Sequence, residues 1–515
     1  MKNLILSLVA LISTTQLQAQ ITESQLDQVV EKTLKTFNVP GIAVAIIKDG
    51  KIVISKGYGV SNIKTQQKVD GNTLFGIASN SKSFTAAALA MLVDEGKINW
   101  DDKVIQYLPE FKMYNSYVTQ EFTIRDLLTH RSGLGLGAGD LMIWPDGHNF
   151  TSKDIVKNIQ YLKPVSAFRS KYDYDNLLYV IAGEVIEKVS GLTWCQFIEQ
   201  RIMKPIGMDH SAASWDRLKD TTNTIVPHVP TDGKLEIIPR YKNHIFDAAA
   251  GIYTSTNDLS KWLILQMNKG MYGADQHLFS TKQSREMWTS QTVMPNRDPY
   301  PYKTNFTTYG LGWRLNDING YLQVSHTGGL DGIVTQTIMI PELQLGIIVL
   351  TNQQSGAAFN AISNTIKDSY LGLPAFDHVA YLSQERKAKE ENADKITDEV
   401  WETVAKNTKG LAAVTKEDKH LGTYLDPWFG KVTIYQKKGK MYFTSERSPR
   451  LNGEVFWYKD QNYVVKWNIR SFHADAHLFF DMDPNGNINH FKMKAISPLT
   501  DFSYDFHDLD FTKVE

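Results

Sequence analysis

Apolar residues at Leu26, Val29, Val30 and Leu34 recur at helical spacing and predict an amphipathic helix over residues 22–36. Two strand-like runs follow, 42–47 and 51–56. The dipeptide between them, Asp49-Gly50, suits a two-residue hairpin turn whose central positions take positive φ. Strand-like runs return only at 322–325, 333–340 and 346–351. The long stretch between the two groups reads mostly as helix and loop. The economical arrangement is an α/β fold: one antiparallel sheet built from both ends of residues 22–375, flanked by helices and accompanied by a helical subdomain.

The pattern changes near residue 376. Residues 383–402 are charged and helix-prone, which suits a linker helix within 376–415. Short alternating runs then follow at 431–435, 440–444, 455–458, 463–467, 477–480 and 488–493. They are separated by turn signals such as Lys438-Gly439 and Asn485-Gly486. This predicts a small all-β barrel domain over 416–515.

Length and charge narrow the function. A chain of 515 residues with 42% apolar and 22% charged residues is large enough for more than one core. Its net charge of −1 gives no field to steer it toward nucleic acid or anionic membrane. Met1-Lys2-Asn3 followed by an apolar run to Ile12 reads as a secretory signal peptide over 1–19, cleaved after Ala19. No lipoprotein cysteine follows it. A periplasmic or secreted location is therefore expected, without a membrane span. Cys195 is the single cysteine, so no internal disulfide is expected.

Three short motifs carry chemistry. Ser-x-x-Lys occurs at Ser61–Lys64 and at Ser79–Lys82. Ser61 enters a polar stretch, whereas Ser79 opens a helical pattern in which Phe84, Ala87, Ala88, Met91 and Leu92 share a face. There, residues three apart touch and an Ala-rich surround would desolvate Lys82. A serine hydroxyl needs such a base to become a nucleophile. Tyr-x-Asn occurs at Tyr174–Asn176, just before a helical run, and at Tyr241–Asn243 in a loop. Tyr174 is placed to relay a proton, and Asn176 to donate to a substrate carbonyl. His326-Thr327-Gly328-Gly329 is read as ending the strand 321–325. His326 is a neutral or cationic donor, Thr327 supplies a hydroxyl, and Gly328 lets substrate approach the strand edge. The N–H groups of Ser79 and Gly329 are candidates for an oxyanion hole.

The order of these motifs resembles the serine β-lactamase superfamily: class C β-lactamases, D-Ala-D-Ala carboxypeptidases, D-aminopeptidases, β-lactamase-like esterases and penicillin-binding proteins. Thr123-Ile-Arg-Asp-Leu-Leu-Thr-His-Arg-Ser-Gly-Leu134, Ala250-Gly251-Ile-Tyr-Thr-Ser255 and Tyr309-Gly-Leu-Gly-Trp313 look like the same family. The resemblance implies a two-lobed domain and acylation of Ser79. Lys82 and Tyr174 would share proton transfer, and Asn176, His326, Thr327 and Gly328 would contact substrate. Which of Lys82 and Tyr174 is the base stays open. His326 stands where class C enzymes generally carry Lys, which lowers the expectation of β-lactam turnover. The barrel resembles a lipocalin-like domain. The expected substrate is a small molecule or peptide. Acyl transfer to an alcohol or amine, a β-lactamase and a non-catalytic penicillin-binding sensor are the alternatives.

Other patterns are decoys. Asp481-Met-Asp483 begins like a calcium loop but has Lys492 at the twelfth position. Gly133-Leu-Gly135 follows no strand of a βαβ unit, so no nucleotide cofactor is expected. No metal-ligand spacing is present, so no metal is expected, and His130 reads as structural.

Overall fold

The computed structural model describes residues 20–296, 302–409, 414 and 418–514. The signal peptide expected at 1–19 lies outside the described residues, as do 410–413 and 415–417 at the end of the expected linker.

Helix α1 (Glu23–Phe37) starts at a capping box in which the Thr22 side chain accepts from Gln25 N–H, and ends at Asn38 in the left-handed region. Strands β1 (Gly41–Lys48) and β2 (Lys51–Gly59) form the expected hairpin. Asp49 and Gly50 both take positive φ, 52° and 71°, as the turn requires. Helix α2 (Lys82–Asp94) follows, then α3 (Leu177–Ser190) and α4 (Thr256–Met267). The chain then returns to the sheet through β3 (Thr292–Val293), β4 (Thr307–Tyr309), β5 (Arg314–Ile318), β6 (Tyr321–Leu330), β7 (Ile333–Ile340) and β8 (Leu345–Thr351). The sheet order is β2-β1-β8-β7-β6-β5-β4-β3, with every pair antiparallel.

Burial explains why β1 is apolar from Ile42 to Ile47. Ile42, Val44 and Ile46 face one core, with α1 and α5 (Gly356–Leu371). Ala43, Ala45 and Ile47 face the other, with α2 and α4. The sheet is thus the middle of three layers. The sequence placed Phe84, Ala87, Ala88, Met91 and Leu92 on one face of α2; in the structure every residue from Lys82 through Leu92 is buried, and Phe84 stacks on Trp262 at 3.9 Å. The reason is position: α2 runs between the sheet and the helical subdomain, with no side left for water.

Helix α6 (His378–Thr408) leaves the first domain and ends on the second, where Val400 and Val404 pack with Val464 and Ile496. The second domain is a closed eight-stranded barrel, β9 (Gly422–Asp426), β10 (Gly430–Lys437), β11 (Lys440–Ser445), β12 (Asn452–Lys459), β13 (Asn462–Trp467), β14 (Ala476–Met482), β15 (Ile488–Ala495) and β16 (Asp510–Lys513). The first and last strands were not legible as strands in the sequence. They are short, and they pair with each other at Tyr424–Lys513 and Leu425–Thr512 to close the ring. Among the described residues no helix is long and apolar enough to cross a membrane.

The barrel is fastened to the helical subdomain by polar bonds. Arg447 pairs with Asp154 at 2.9 Å and lies over the Phe150 ring, while Asn158 Nδ2 donates to Trp428 O at 3.0 Å. At the loop 499–506, Ser503 Oγ donates to Asp140 Oδ2 at 2.9 Å, and Gly139 N–H donates to Asp505 Oδ2 at 2.5 Å.

Within the subdomain, Asp126 is fully buried and accepts from Thr123, Arg131 and Arg169. Burial pushes its pKa up, but the bonds from Arg169 and Thr123 outweigh this and hold it below 3.8. Its stabilisation is therefore complete above pH 3.8 and is lost as pH falls through the lower folded value. Asp126→Asn is expected to lower the unfolding free energy by about 3 kcal/mol, because it leaves two guanidinium groups without their anion. Urea unfolding at pH 7 and pH 3 measures this, and the penalty should shrink at the lower pH.

Candidate functional site

Ser79 does not open the α-helix as the sequence suggested. It lies on a 3₁₀ turn, Ala78–Ser81, that runs directly into α2 at Lys82. Three residues per turn eclipse side chains at i and i+3, which aligns Ser79 with Lys82 better than an α-turn would. Ala78, just before the serine, is held at φ 49°, a left-handed conformation that costs a non-glycine residue about 1 kcal/mol. The turn is pinned from behind. Thr335 Oγ1 donates to Ile77 O at 2.9 Å, and Thr337 Oγ1 donates to Asn80 Oδ1 at 2.7 Å.

Lys82 is wholly buried. Its Nζ lies 2.7 Å from Asn176 Oδ1, 3.1 Å from Ala249 O and 3.1 Å from Ser79 Oγ. Desolvation lowers its pKa to about 7, against the opposing pull of Asp140 and Asp175. Tyr174 and Tyr179 present their rings to the same nitrogen, at 4.9 and 5.2 Å.

Tyr174 and Asn176 sit in the turn that enters α3. Asp175 Oδ1 accepts from Leu177 N–H, and His130 Nδ1 accepts from Asp175 N–H. Burial drives the Tyr174 hydroxyl well above 10, although its interaction with Ser79 pulls the other way. Asn176 uses both ends of its amide: Oδ1 accepts from Lys82, and Nδ2 donates to Asp140 Oδ2 at 2.7 Å. Asp140 is buried without a cation in contact, and desolvation raises its pKa well above 3.8. His130 packs 4.2 Å from the Tyr174 ring, centroid to centroid, and its pKa is driven well below 6.5 by burial.

The His-Thr-Gly segment differs from its reading as the end of a strand. β6 continues through it to Leu330, paired with β7, whereas β5 pairs only as far as Ser325. His326 to Leu330 therefore presents one unpaired edge to the cleft among the described residues. Gly328 must be glycine there, since a Cβ would meet Ile77 O at 2.1 Å and Ala78 Cβ at 2.9 Å. A Cβ on Gly329 would meet nothing within 4 Å, so that position opens onto space. His326 is buried, with Nδ1 2.7 Å from Thr327 O and Nε2 2.8 Å from Tyr309 Oη. The carbonyl fixes the proton on Nδ1, and Nε2 then accepts from Tyr309. Burial, with Arg314 and Lys82 nearby, holds this histidine well below 6.5. Of the two forms the sequence allowed, the neutral one fits.

One cavity of about 410 Å³ gathers Ser79, Tyr174, Asn176, His326, Thr327 and Gly329, while Lys82 and Gly328 lie immediately behind it. It also contains residues that sequence reasoning missed. Arg314 enters from β5, with Tyr172 and Tyr174 beside it, and among the described residues forms no ion pair with a carboxylate. Its signal was a lone Arg one residue after the Tyr309–Trp313 stretch. The barrel supplies Phe502, 5.8 Å from the Tyr174 ring, together with Asp501, Ser503 and Tyr504. No local pattern announces a wall built from another domain.

The other candidates lie elsewhere. Ser61 is buried with its Oγ bonded to Gln67 O, and Lys64 is exposed. Tyr241 stacks on Trp144 and donates to Ile143 O, while Asn243 caps the turn at Ile245. Cys195 Sγ donates to Asp247 Oδ2, and burial raises its thiol pKa. Among the described residues, Asp505, His507 and Asp508 place one ligand atom each within 4.8 Å of one another. Of these three, Asp505 already accepts from Gly139 N–H at the domain contact.

A model of the family described as Beta-lactamase matches residues 26–370, and one described as a domain of unknown function (DUF3471) matches 411–513. An unguisins hydrolase of Aspergillus campestris is 28% identical over 354 residues, which is 66% of this chain and 64% of that protein. Protein flp of Staphylococcus aureus is 28% identical over 338 residues, 65% of this chain and 64% of that protein. The chain thus spans 64% of the length of these relatives. The octameric penicillin-binding protein homologue from Pyrococcus abyssi shares the fold with a TM-score of 0.62 at 22% identity, covering 96% of this chain and 100% of that one. The crystal structure of SurE has a TM-score of 0.55 at 17% identity, covering 95% and 99%. With the family match extending over residues 26–370 and the fold shared end to end, the chain belongs to the Beta-lactamase family.

Proposed function

We propose that the protein is a serine hydrolase that forms an acyl-enzyme at Ser79 from a small amide or ester, with Lys82 as the acylation base. The observation that carries this reading is the hydrogen-bond count at Lys82 Nζ. Asn176 Oδ1 and the Ala249 carbonyl can only accept. A neutral amine has two hydrogens, and these two acceptors take both. Its lone pair then faces Ser79 Oγ at 3.1 Å. Tyr174, with its pKa raised, stays protonated and serves as the acid that returns a proton to the leaving group. The N–H groups of Ser79 and Gly329 take the developing oxyanion, and Thr327 and the free edge of β6 align the substrate. Arg314, a cation in the cleft without a counterion, supports a substrate that carries a carboxylate on the leaving-group side. The same acyl-enzyme passes its acyl group to an alcohol or amine when water is excluded. The closeness of Phe502 to Tyr174 supports that as the second outcome. Export through the leader at 1–19 belongs to this reading, and N-terminal sequencing of the secreted protein tests it.

Ser79→Ala is expected to lower turnover by about 10⁶-fold and to abolish labelling by a fluorophosphonate. Intact-mass spectrometry checks both, and an activity within tenfold of wild type removes the assignment. If Lys82 is the base, kcat/KM is flat above pH 7 and falls tenfold per pH unit below it, because the amine is then protonated. A flat profile down to pH 5 contradicts this. Asp140→Asn is expected to keep activity within about threefold, since the amide keeps the carboxyl group's shape and its oxygen still accepts from Asn176. Asp140→Ala, which leaves that donor unpaired, should cost about 10- to 100-fold. Steady-state rates of the two variants separate these outcomes.

A further inference from the structure

We propose that Ser503, contributed by the barrel, is a positioning residue for the acylation base, holding Asp140 so that the Asn176 amide keeps its oxygen on Lys82. Asp140 is fully buried. Among the described residues its side chain has two hydrogen-bond donors, and both reach the same oxygen. Asn176 Nδ2 donates to Oδ2 at 2.7 Å and Ser503 Oγ donates to it at 2.9 Å, while Oδ1 has no partner. Desolvation raises the pKa of this carboxyl well above 3.8, and the bonds from Asn176 and Ser503 act against it. One of the two groups that fix Oδ2 therefore comes from another domain.

The backbone around Asp140 shows how closely the barrel loop is seated. Gly139 N–H donates to Asp505 Oδ2 at 2.5 Å. Gly139 takes φ 75° just before the turn Asp140–Met142, and a Cβ on it would meet Leu177 Cδ1 at 2.6 Å. Gly137 N–H donates to Tyr174 O at 2.8 Å, and a Cβ on Gly137 would meet Phe502 O at 2.7 Å. Residues 137–140 are thus pressed between the turn that carries Tyr174 and Asn176 and the barrel loop 502–505. Ser503 is aimed by its own loop. Its N–H donates to Asp501 Oδ1 at 2.9 Å, and Tyr504 N–H donates to Asp501 O at 3.0 Å, which makes a tight turn under the hydroxyl.

The consequence lies in the Asn176 amide. Its two ends are nearly equal in size, so their partners decide which end faces Lys82. Asp140 Oδ2 takes the NH₂ end, which turns Oδ1 to Nζ at 2.7 Å. If Asp140 swings away, the amide can turn over and set its hydrogens against those of Nζ. Nζ then keeps one protein acceptor besides Ser79, the Ala249 carbonyl, and its lone pair is no longer confined to Ser79 Oγ. Ser503 acts on the base through Asp140 and Asn176, and the assignment rests on Lys82 being the base that activates Ser79.

Ser503→Ala is tested with p-nitrophenyl acetate as substrate and with the rate of fluorophosphonate labelling at Ser79. Both kcat and the labelling rate are expected to fall by about 10-fold, the scale of one buried hydrogen bond to a carboxyl group, with KM within about twofold. Ser503→Thr, which keeps the hydroxyl, should recover the rate to within about threefold. In the Asp140→Ala background, where the acceptor is gone, adding Ser503→Ala should cost less than about twofold. An equal loss in both backgrounds, or Ser503→Thr as slow as Ser503→Ala, shows that the residue serves the loop alone and overturns the positioning role. So does Ser503→Ala at the wild-type rate. A crystal structure of Ser503→Ala supplies the arm that needs no chemistry: Asp140 Oδ2 should lie beyond about 3.5 Å from Asn176 Nδ2. If wild type takes no label at Ser79, the nucleophile reading falls, and this separation still decides the positioning role. An unchanged separation overturns it.

Discussion

Two acceptors on one lysine govern the site. An amine buried with no carboxylate in contact is costly as a cation, and the fold meets it with the Ala249 carbonyl and the Asn176 amide oxygen instead of an anion. Those acceptors satisfy the neutral form completely and the charged form only if Ser79 Oγ also accepts. The geometry therefore brings deprotonation of the amine and activation of the serine into one arrangement. Around it lie the buried run Lys82–Leu92 of α2 and two tyrosine rings, while Asp140, its carboxyl pushed well above the usual carboxylate range by desolvation, touches Asn176 and not Nζ. A carboxylate in direct contact would stabilise the ammonium and remove the base.

The three-layer architecture was legible because its signals are local. Asp49-Gly50 sets the hairpin, and the two-sided burial of β1 is visible as an unbroken apolar run. The motifs at Ser79, Tyr174 and His326 stood out for the same reason, and the structure brings them into one cavity. The finer geometry was not readable. Whether Ser79 lies on an α-turn or a 3₁₀ turn depends on Thr335 and Thr337, which reach it from a strand some 250 residues away and pin its neighbours. The His-Thr-Gly segment looked like a turn because its glycines suggest one. Gly328 is small for a different reason, the close approach of Ile77 and Ala78, whereas Gly329 faces open space.

The barrel's part was the least legible. Its loop carries Asp501 to Asp505 into the first domain, where Ser503 bonds Asp140 and Asp140 bonds Asn176, the residue that holds Lys82. A chain of hydrogen bonds thus runs from the second domain to the base. Nothing periodic in 499–505 foretells it, since such a loop gains its meaning only from the surface it meets.

The most direct measurement of the central claim is the titration of Lys82 itself, followed by NMR of the ¹³Cε resonance in lysine-labelled protein and assigned by its loss in Lys82→Arg. A midpoint near 7 is the value expected from a desolvated amine satisfied by two neutral acceptors. A midpoint above 9, with the lysine charged throughout the neutral range, would contradict the account.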